Sequence, residues 1–427
     1  MLQYQILWEG RTPVLLFPME HVESVSIGLW FRVGSRIEPA KAHGAAHFLE
    51  HMLFKGTRGR SARQISASVE SVGGDLNAFT TEEMTCYFAR VDGDHLGLVC
   101  EVLFDMVQDS VFATQEFERE RGVIQEELRM YDDQPQIVVQ ELLQGMMWRG
   151  SSLSRPIAGT LLSISRMKRA DVMEFWRQHY HPGSMIISLA GDFDVPHVVN
   201  LVRQLNRRPS TSRRAARWTP IRMEPRRQMI VGTRTRPVQQ INLALGSTTF
   251  GRSDPRRFAL KVLSVILGEN SSSRLFQSIR ERHGLAYSVN TSISQFQETG
   301  ALTIQVGLES AQTLAALKLI SRELCRVVEK PISGAELRRG KDYAIGQLKL
   351  GLESTTNQMM WMGECMLGHG RIFHPKEVTE GLQQVDARAV QQLAAELFQP
   401  GRMTLAWVGP EQGAIGEKEL EQCCRLT

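Results

Sequence analysis

Long apolar runs are missing from this chain of 427 residues. No stretch of about 18 apolar residues occurs, so no membrane span is predicted. Met1 to Gly10 lacks a basic start and an apolar stretch, and is not rich in Arg and Ser, so no leader peptide is predicted. Cysteine is sparse and unpatterned: Cys86, Cys100, Cys325, Cys365, Cys423 and Cys424 include no Cys-x-x-Cys pair. That excludes a disulfide framework and a cysteine metal site. Most of these cysteines have apolar neighbours and are expected as buried thiols. The adjacent Cys423 and Cys424 are expected at the surface. These absences point to a reducing compartment, the cytoplasm.

What is present is ordinary in bulk, with 42% hydrophobic and 22% charged residues, as in a globular protein. The length suggests two or three domains. The net charge of +4 hides an asymmetry. Residues 1–205 carry 19 Lys and Arg against 26 Asp and Glu, and residues 237–427 carry 21 against 19. Residues 206–236 carry ten Arg against one Glu, with Arg207, Arg208, Arg213, Arg214 and Arg217 close together. Pro209, Ser210, Thr211 and Ser212 interrupt them, and no aromatic ladder accompanies them. A solvated linker at 206–221 is therefore expected, not a nucleic-acid surface. If the acidic first half holds an active site, it favours cationic ligands.

The segment His47-Phe48-Leu49-Glu50-His51 carries chemistry. Its surroundings suit a short buried helix, where residues four apart share one face. Two imidazoles so placed can reach one metal ion. Glu50 can face a metal-bound water without binding the metal. The order is the inverse of His-Glu-x-x-His and is the inverted motif of the inverzincins. Two such histidines can also be satisfied core or surface groups, and so short a match arises by chance in unrelated chains.

The chain also repeats itself. A helix at Ala170 to Tyr180, a Pro182-Gly183 turn and a strand from Met185 to Ala190 ending at Gly191 form one unit. Ala387 to Phe398, Pro400-Gly401, and Met403 to Val408 ending at Gly409 form another, at an offset of 218. Four positions in register imply a duplicated domain of about 200 residues. Val25, Ile27, Leu29, Phe31 and Val33 alternate with Ser26, Gly28, Trp30 and Arg32, as a half-buried strand requires. Ile241, Leu243 and Leu245 play that part in the second half. Gly73 to Val91 reads as a hairpin, with a counterpart at Gly284 to Asn290 and Leu302 to Val306. Strands and helices occur in groups without strict alternation. The predicted fold is α+β: two similar domains, each a mainly antiparallel sheet packed with helices. The boundaries are 1–205, a linker at 206–221, and 222–427. The second half has no His-x-x-Glu-His.

A catalytic zinc site takes three protein ligands and leaves one position open. Glu116 to Tyr131 reads as a helix with several carboxylates. Glu120 and Glu127 lie two turns apart on one face, and Glu126 points elsewhere. Glu127 as a ligand backed by Glu120 is geometrically sensible. A solvated acidic face is the more usual fate of such glutamates.

The chain resembles the pitrilysin family of zinc peptidases, which includes insulin-degrading enzyme and the mitochondrial processing peptidase. The likeness rests on His47-Phe48-Leu49-Glu50-His51, on Gly73-Gly74-x-x-Asn77-Ala78-x-Thr80 and on the downstream glutamate, in that order. It covers essentially the whole chain and looks like the half-size bacterial and processing-peptidase branch. In that family the third ligand lies about 76 residues after the second motif histidine, which falls on Glu127, with a further glutamate at Glu120. The family's Arg and Tyr, seven apart, match Arg280 and Tyr287, after Ser273-Arg274-Leu275-Phe276.

The resemblance implies a zinc endopeptidase. His47, His51 and Glu127 would hold Zn2+, and Glu50 would act as general base. Arg280 and Tyr287 would hold substrate and stabilise the oxyanion. Asn77 and Ala78 would lie on a substrate-binding edge strand. The implied substrates are unstructured peptides, with basic ones favoured by the acidic first half. A homodimer enclosing a chamber is expected, with a heterodimer as the alternative. The rivals are a non-catalytic or partner-dependent subunit and a peptide-binding module with structural zinc. The latter would normally need a fourth protein ligand.

Overall fold

Strands form where β-branched and apolar residues run between turn signals. The computed structural model describes residues 4–206, 218–221, 226–412 and 414–424. Most of the expected linker at 206–221, including Arg207, Arg208, Arg213, Arg214 and Arg217, lies outside the described residues. In the first sheet β1 (Gln5–Glu9), β2 (Thr12–Pro18), β3 (Ser24–Phe31), β4 (Asp75–Thr80), β5 (Thr85–Asp92) and β6 (Met185–Gly191) stand in the order β1-β2-β6-β3-β5-β4. In the second, β7 (Ile230–Thr235), β8 (Ile241–Phe250), β9 (Ala286–Gln295), β10 (Thr299–Leu308) and β11 (Met403–Gly409) stand in the order β7-β11-β8-β10-β9.

The pairs β2–β6 and β7–β11 are parallel, and the remaining pairs are antiparallel. Set β1 aside and the two sheets share one order and one parallel pair. The α+β fold with mainly antiparallel sheets is as the sequence suggests. The duplication is visible in the topology.

Contacts divide the chain into two units. The first comprises Met1–Arg129, Arg155–Thr219 and Gly351–Phe373, and the second Met130–Ser154, Pro220–Leu350 and His374–Thr427. Each half of the sequence thus lends a helix to the unit built mainly from the other half. Helix Thr355–His369 covers one face of the first sheet, where Met359, Met362, Met366 and Leu367 pack with Leu15, Phe17, Trp30, Cys86 and Ile186. Helix Pro135–Met147 covers the corresponding face of the second sheet, where Val138, Val139 and Leu143 pack with Ala244, Ala406 and Val408.

This exchange corrects the reading of β3 as half-buried. Its residues from Val25 to Phe31 are buried on both faces. Val25, Ile27, Leu29 and Phe31 join the core beneath the helices of the first unit. Ser26 and Trp30 face helix Thr355–His369 instead, with Ser26 Oγ 2.9 Å from Thr355 Oγ1. Trp30 donates its indole N–H to Ser188 Oγ at 2.7 Å, which satisfies the polar edge of a fully buried ring. Each large side chain buried here contributes roughly 1.5–3 kcal/mol relative to exposure. A second correction concerns the C-terminus: Cys424 is buried and Cys423 half-buried, because helix Glu417–Cys423 packs on the second core. All six cysteines are free thiols. No helix among the described residues is long and apolar enough to cross a membrane.

Candidate metal centre

The predicted motif lies on helix Ala45–Leu53. Ala45, Ala46, Phe48, Leu49, Met52 and Leu53 are buried, so the remaining stripe of His47, Glu50 and His51 faces the site. The helix starts at Gly44, whose φ of 93° is left-handed backbone that favours glycine. The buried Glu38 carboxylate accepts from the N–H groups of Gly44 at 2.8 Å and Ala46 at 2.7 Å. Two donors with no intrahelical acceptor are thereby satisfied. Burial pushes the Glu38 pKa up to about 8, against the lowering effect of those two donors and Arg155.

Helix Thr114–Asp132 supplies the carboxylates. Phe117, Glu120 and Ile124 are its buried stripe, and Glu127 continues that stripe by one turn. Phe117 stacks on Phe48 with ring centroids 4.5 Å apart, which locks the two helices together. Glu126 faces outward and pairs with Arg129.

The result is a cluster of His47, His51 and Glu127, whose ligand atoms lie within 4.8 Å of one another. Glu127 Oε2 is 3.4 Å from His51 Nε2 and 3.8 Å from His47 Nε2. Zinc bonds of about 2.0–2.1 Å place tetrahedral neighbours roughly 3.3–3.4 Å apart. One pair already has that separation, and the other is slightly wide. The His47, His51 and Glu127 side chains are 12%, 22% and 21% exposed, so solvent reaches the cluster. Two imidazoles and one carboxylate are a donor set that suits zinc.

Charge within the cluster favours a cation. Burial, then the neighbouring His51, lowers the His47 pKa to about 4, with Glu127 opposing. His47 is therefore a neutral donor at neutral pH. For His51, burial lowers the pKa but is outweighed by hydrogen bonds to Glu120 and Glu127 and by the charges of Glu127 and Glu50, which raise it to about 9. Its second nitrogen, Nδ1, lies 3.3 Å from Glu120 Oε2. Glu120 Oε1 meets Lys55 Nζ at 2.9 Å. For Glu120 too, burial raises the pKa, but His51 and Lys55 together hold it below the usual range.

Glu50 stands beside this group. Its Oε2 accepts a hydrogen bond from the Thr80 hydroxyl. Burial raises its pKa, with Glu127 adding and Thr80 and His51 opposing. Asn77 and Ala78 lie on β4, which ends the first sheet and pairs with β5 on one side. Asn77 is exposed, and its Oδ1 accepts the Ala78 N–H at 2.8 Å.

Arg280 and Tyr287 belong to the second unit. Arg280 sits in the π-helical turn Phe276–Arg282, and Tyr287 lies on β9, which ends the second sheet. The guanidinium stacks over the Tyr287 ring at 5.5 Å and the Phe276 ring at 4.9 Å. Tyr287 is 81% exposed.

Sequence reasoning left three supporting residues without a role: Lys55, Glu38 and Thr80. Lys55 lies two residues past the end of helix Ala45–Leu53, so helical spacing does not place it on the face of His51. Thr80 shares a strand face with Ala78. Glu38 precedes the helix by too many residues for a capping pattern.

Residues 14–161 match the insulinase domain of peptidase family M16, and residues 166–343 match the peptidase M16 inactive domain. An uncharacterized zinc protease of Streptomyces coelicolor is 35% identical over 405 residues, spanning 94% of this chain and 88% of its own. One from Bacillus subtilis is 34% identical over 377 residues, spanning 88% and 91%. The chain belongs to peptidase family M16. A solved protease from Helicobacter pylori shares its fold, with a TM-score of 0.91 at 21% identity over 96% of this chain and 100% of its own. A structure from Pseudomonas fluorescens, described as a peptidase M16 inactive domain, gives 0.88 at 18% identity over 97% and 100%. Within family M16 this chain resembles zinc proteases, and its second matched domain falls mostly in the half without the motif.

Proposed function

We propose that this protein is a zinc-dependent endopeptidase that hydrolyses unstructured peptides. The observation that carries the reading is the convergence of His47, His51 and Glu127 within 4.8 Å, with Glu50 beside them. Those three residues would hold Zn2+, and Glu120 would fix the His51 ring from behind. Bound zinc supplies a water of lowered pKa and polarises the scissile carbonyl. The Glu50 carboxylate takes the proton of the attacking water and passes it to the leaving amine. Its burial suits that task, since a raised pKa brings a carboxylate nearer the working pH.

An extended peptide adds to the free edge of β4 by main-chain hydrogen bonds, next to Asn77 and Ala78. Backbone recognition tolerates many side chains and rejects folded substrates. We place the chain in a homodimer, where a second copy supplies Tyr287 to donate to the oxyanion and Arg280 to hold a substrate carbonyl. The resemblance and the exposure of Tyr287 support that assignment. Six free thiols suit the cytoplasm.

The test is cleavage of an unstructured fluorogenic peptide by the zinc-loaded wild type and by Glu50→Gln. Cleavage by the wild type alone supports the reading. No cleavage by either, with zinc bound, overturns it in favour of a partner-dependent subunit.

A further inference from the structure

Strand β4 carries more than the docking edge. Two residues beyond Ala78, Thr80 turns its hydroxyl to Oε2 of Glu50. The proton directions around that hydroxyl follow from its neighbours. Thr85 Oγ1 donates to the Val33 carbonyl at 2.8 Å, so its single proton is committed. It therefore presents only lone pairs to Thr80 Oγ1, 3.3 Å away. The proton shared among Thr80, Thr85 and the Glu50 carboxylate is Thr80's own. A charged carboxylate is a better acceptor than a hydroxyl, so that proton points to Glu50.

Thr80 is also fixed independently of Glu50. The next residue, Thr81, accepts the Met84 N–H at its hydroxyl at 3.1 Å and donates its own N–H to the Met84 carbonyl at 2.8 Å. Glu83, within that turn, forms a buried ion pair with Arg36. Backbone N–H groups of Ser35 and Arg36 donate to the Thr81 and Glu82 carbonyls. The hydroxyl is thus presented by a rigid turn.

We propose, resting on the peptidase reading, that Thr80 is a positioning residue for Glu50. It holds Oε2 and leaves Oε1 as the oxygen that receives the water proton, tying the base to the strand on which the peptide docks. The peptide still binds the β4 edge without this hydroxyl. Its loss therefore falls on kcat and spares KM.

The experiment compares Thr80→Val, which keeps the shape without the hydroxyl, with Thr80→Ser, which keeps the hydroxyl. For Thr80→Val, kcat falls roughly ten- to a hundred-fold, the effect of one hydrogen bond to a charged group, and KM stays within about two-fold. Thr80→Ser recovers most of kcat. The contact is also read without turnover, by infrared difference spectra. The carboxylate stretch of Glu50, identified by its loss in Glu50→Gln, shifts in Thr80→Val and returns in Thr80→Ser. An unshifted band overturns the proposal, as does a Thr80→Val kcat within about two-fold of wild type. A shifted band in a chain that cleaves no peptide would instead remove the peptidase reading and leave the Thr80–Glu50 contact standing.

Discussion

Glu120 lies directly behind His51, its Oε2 3.3 Å from Nδ1, on the ring edge opposite the nitrogen that faces Glu127. A hydrogen bond there places the Nδ1 proton and frees Nε2 as the metal donor. Glu120→Gln keeps the shape but loses the charge that strengthens this bond. Zinc affinity is expected to fall by roughly 10–100-fold, read by competition with a chelator of known affinity. Unchanged affinity would show that Glu120 serves only Lys55.

The two histidines differ in what zinc must displace. His51, raised to about 9, is an imidazolium at neutral pH with a second ring proton to lose, whereas His47, lowered to about 4, is already a neutral imidazole. Zinc uptake at pH 7.5 is expected to release about one proton, measured by calorimetry in buffers of different ionisation heat. A raised folded-state pKa adds stability below the unfolded value and loses it as pH rises through the folded value. The metal-free chain should therefore lose stability between about pH 6.5 and 9 in urea titrations, and His51→Gln should flatten that slope.

Helix Thr355–His369 approaches the first sheet as closely as its glycine allows. A Cβ on Gly363 would lie 2.1 Å from the buried Trp30 ring. Gly363→Ala is expected to cost at least about 1–3 kcal/mol in urea unfolding. Trp30→Phe in the same chain should recover part of it, because the smaller ring relieves the clash.

Residues 1–205 carry seven more acidic than basic groups. Basic peptides should therefore be cut faster than acidic ones of equal length, and the gap should shrink as salt rises from about 0.01 to 1 M. Equal rates at low salt would remove field steering from the account.

The site was legible where one segment carries its own geometry. His47, Glu50 and His51 share a face because helical spacing says so, and Glu120 and Glu127 share another for the same reason. Strands β6 and β11 stood out because a Pro-Gly turn precedes each and a glycine ends each. Strands β9 and β10 run longer than their apolar cores suggested, since ladder pairing carries on past the last apolar residue. The second covering of β3 was not legible. Periodicity shows that a helix has an apolar face but not which sheet that face will meet. Nothing near Ser26, Gly28 or Trp30 in sequence announces a partner more than 300 residues away. Thr80 and Glu38 escaped for a related reason, as each acts across a gap in sequence.

The exchange of helices sets an order of events during synthesis. Helix Thr355–His369 leaves the ribosome long after His47, His51 and Glu127 have been made. Until then, Leu15 and Trp30 lack their cover, and the nascent first sheet offers a greasy face to its surroundings. A chain halted near residue 350 would carry all three candidate ligands, His47, His51 and Glu127, yet lack a finished scaffold, a target for chaperones before it was complete. The proposed activity would then begin only once translation was nearly complete.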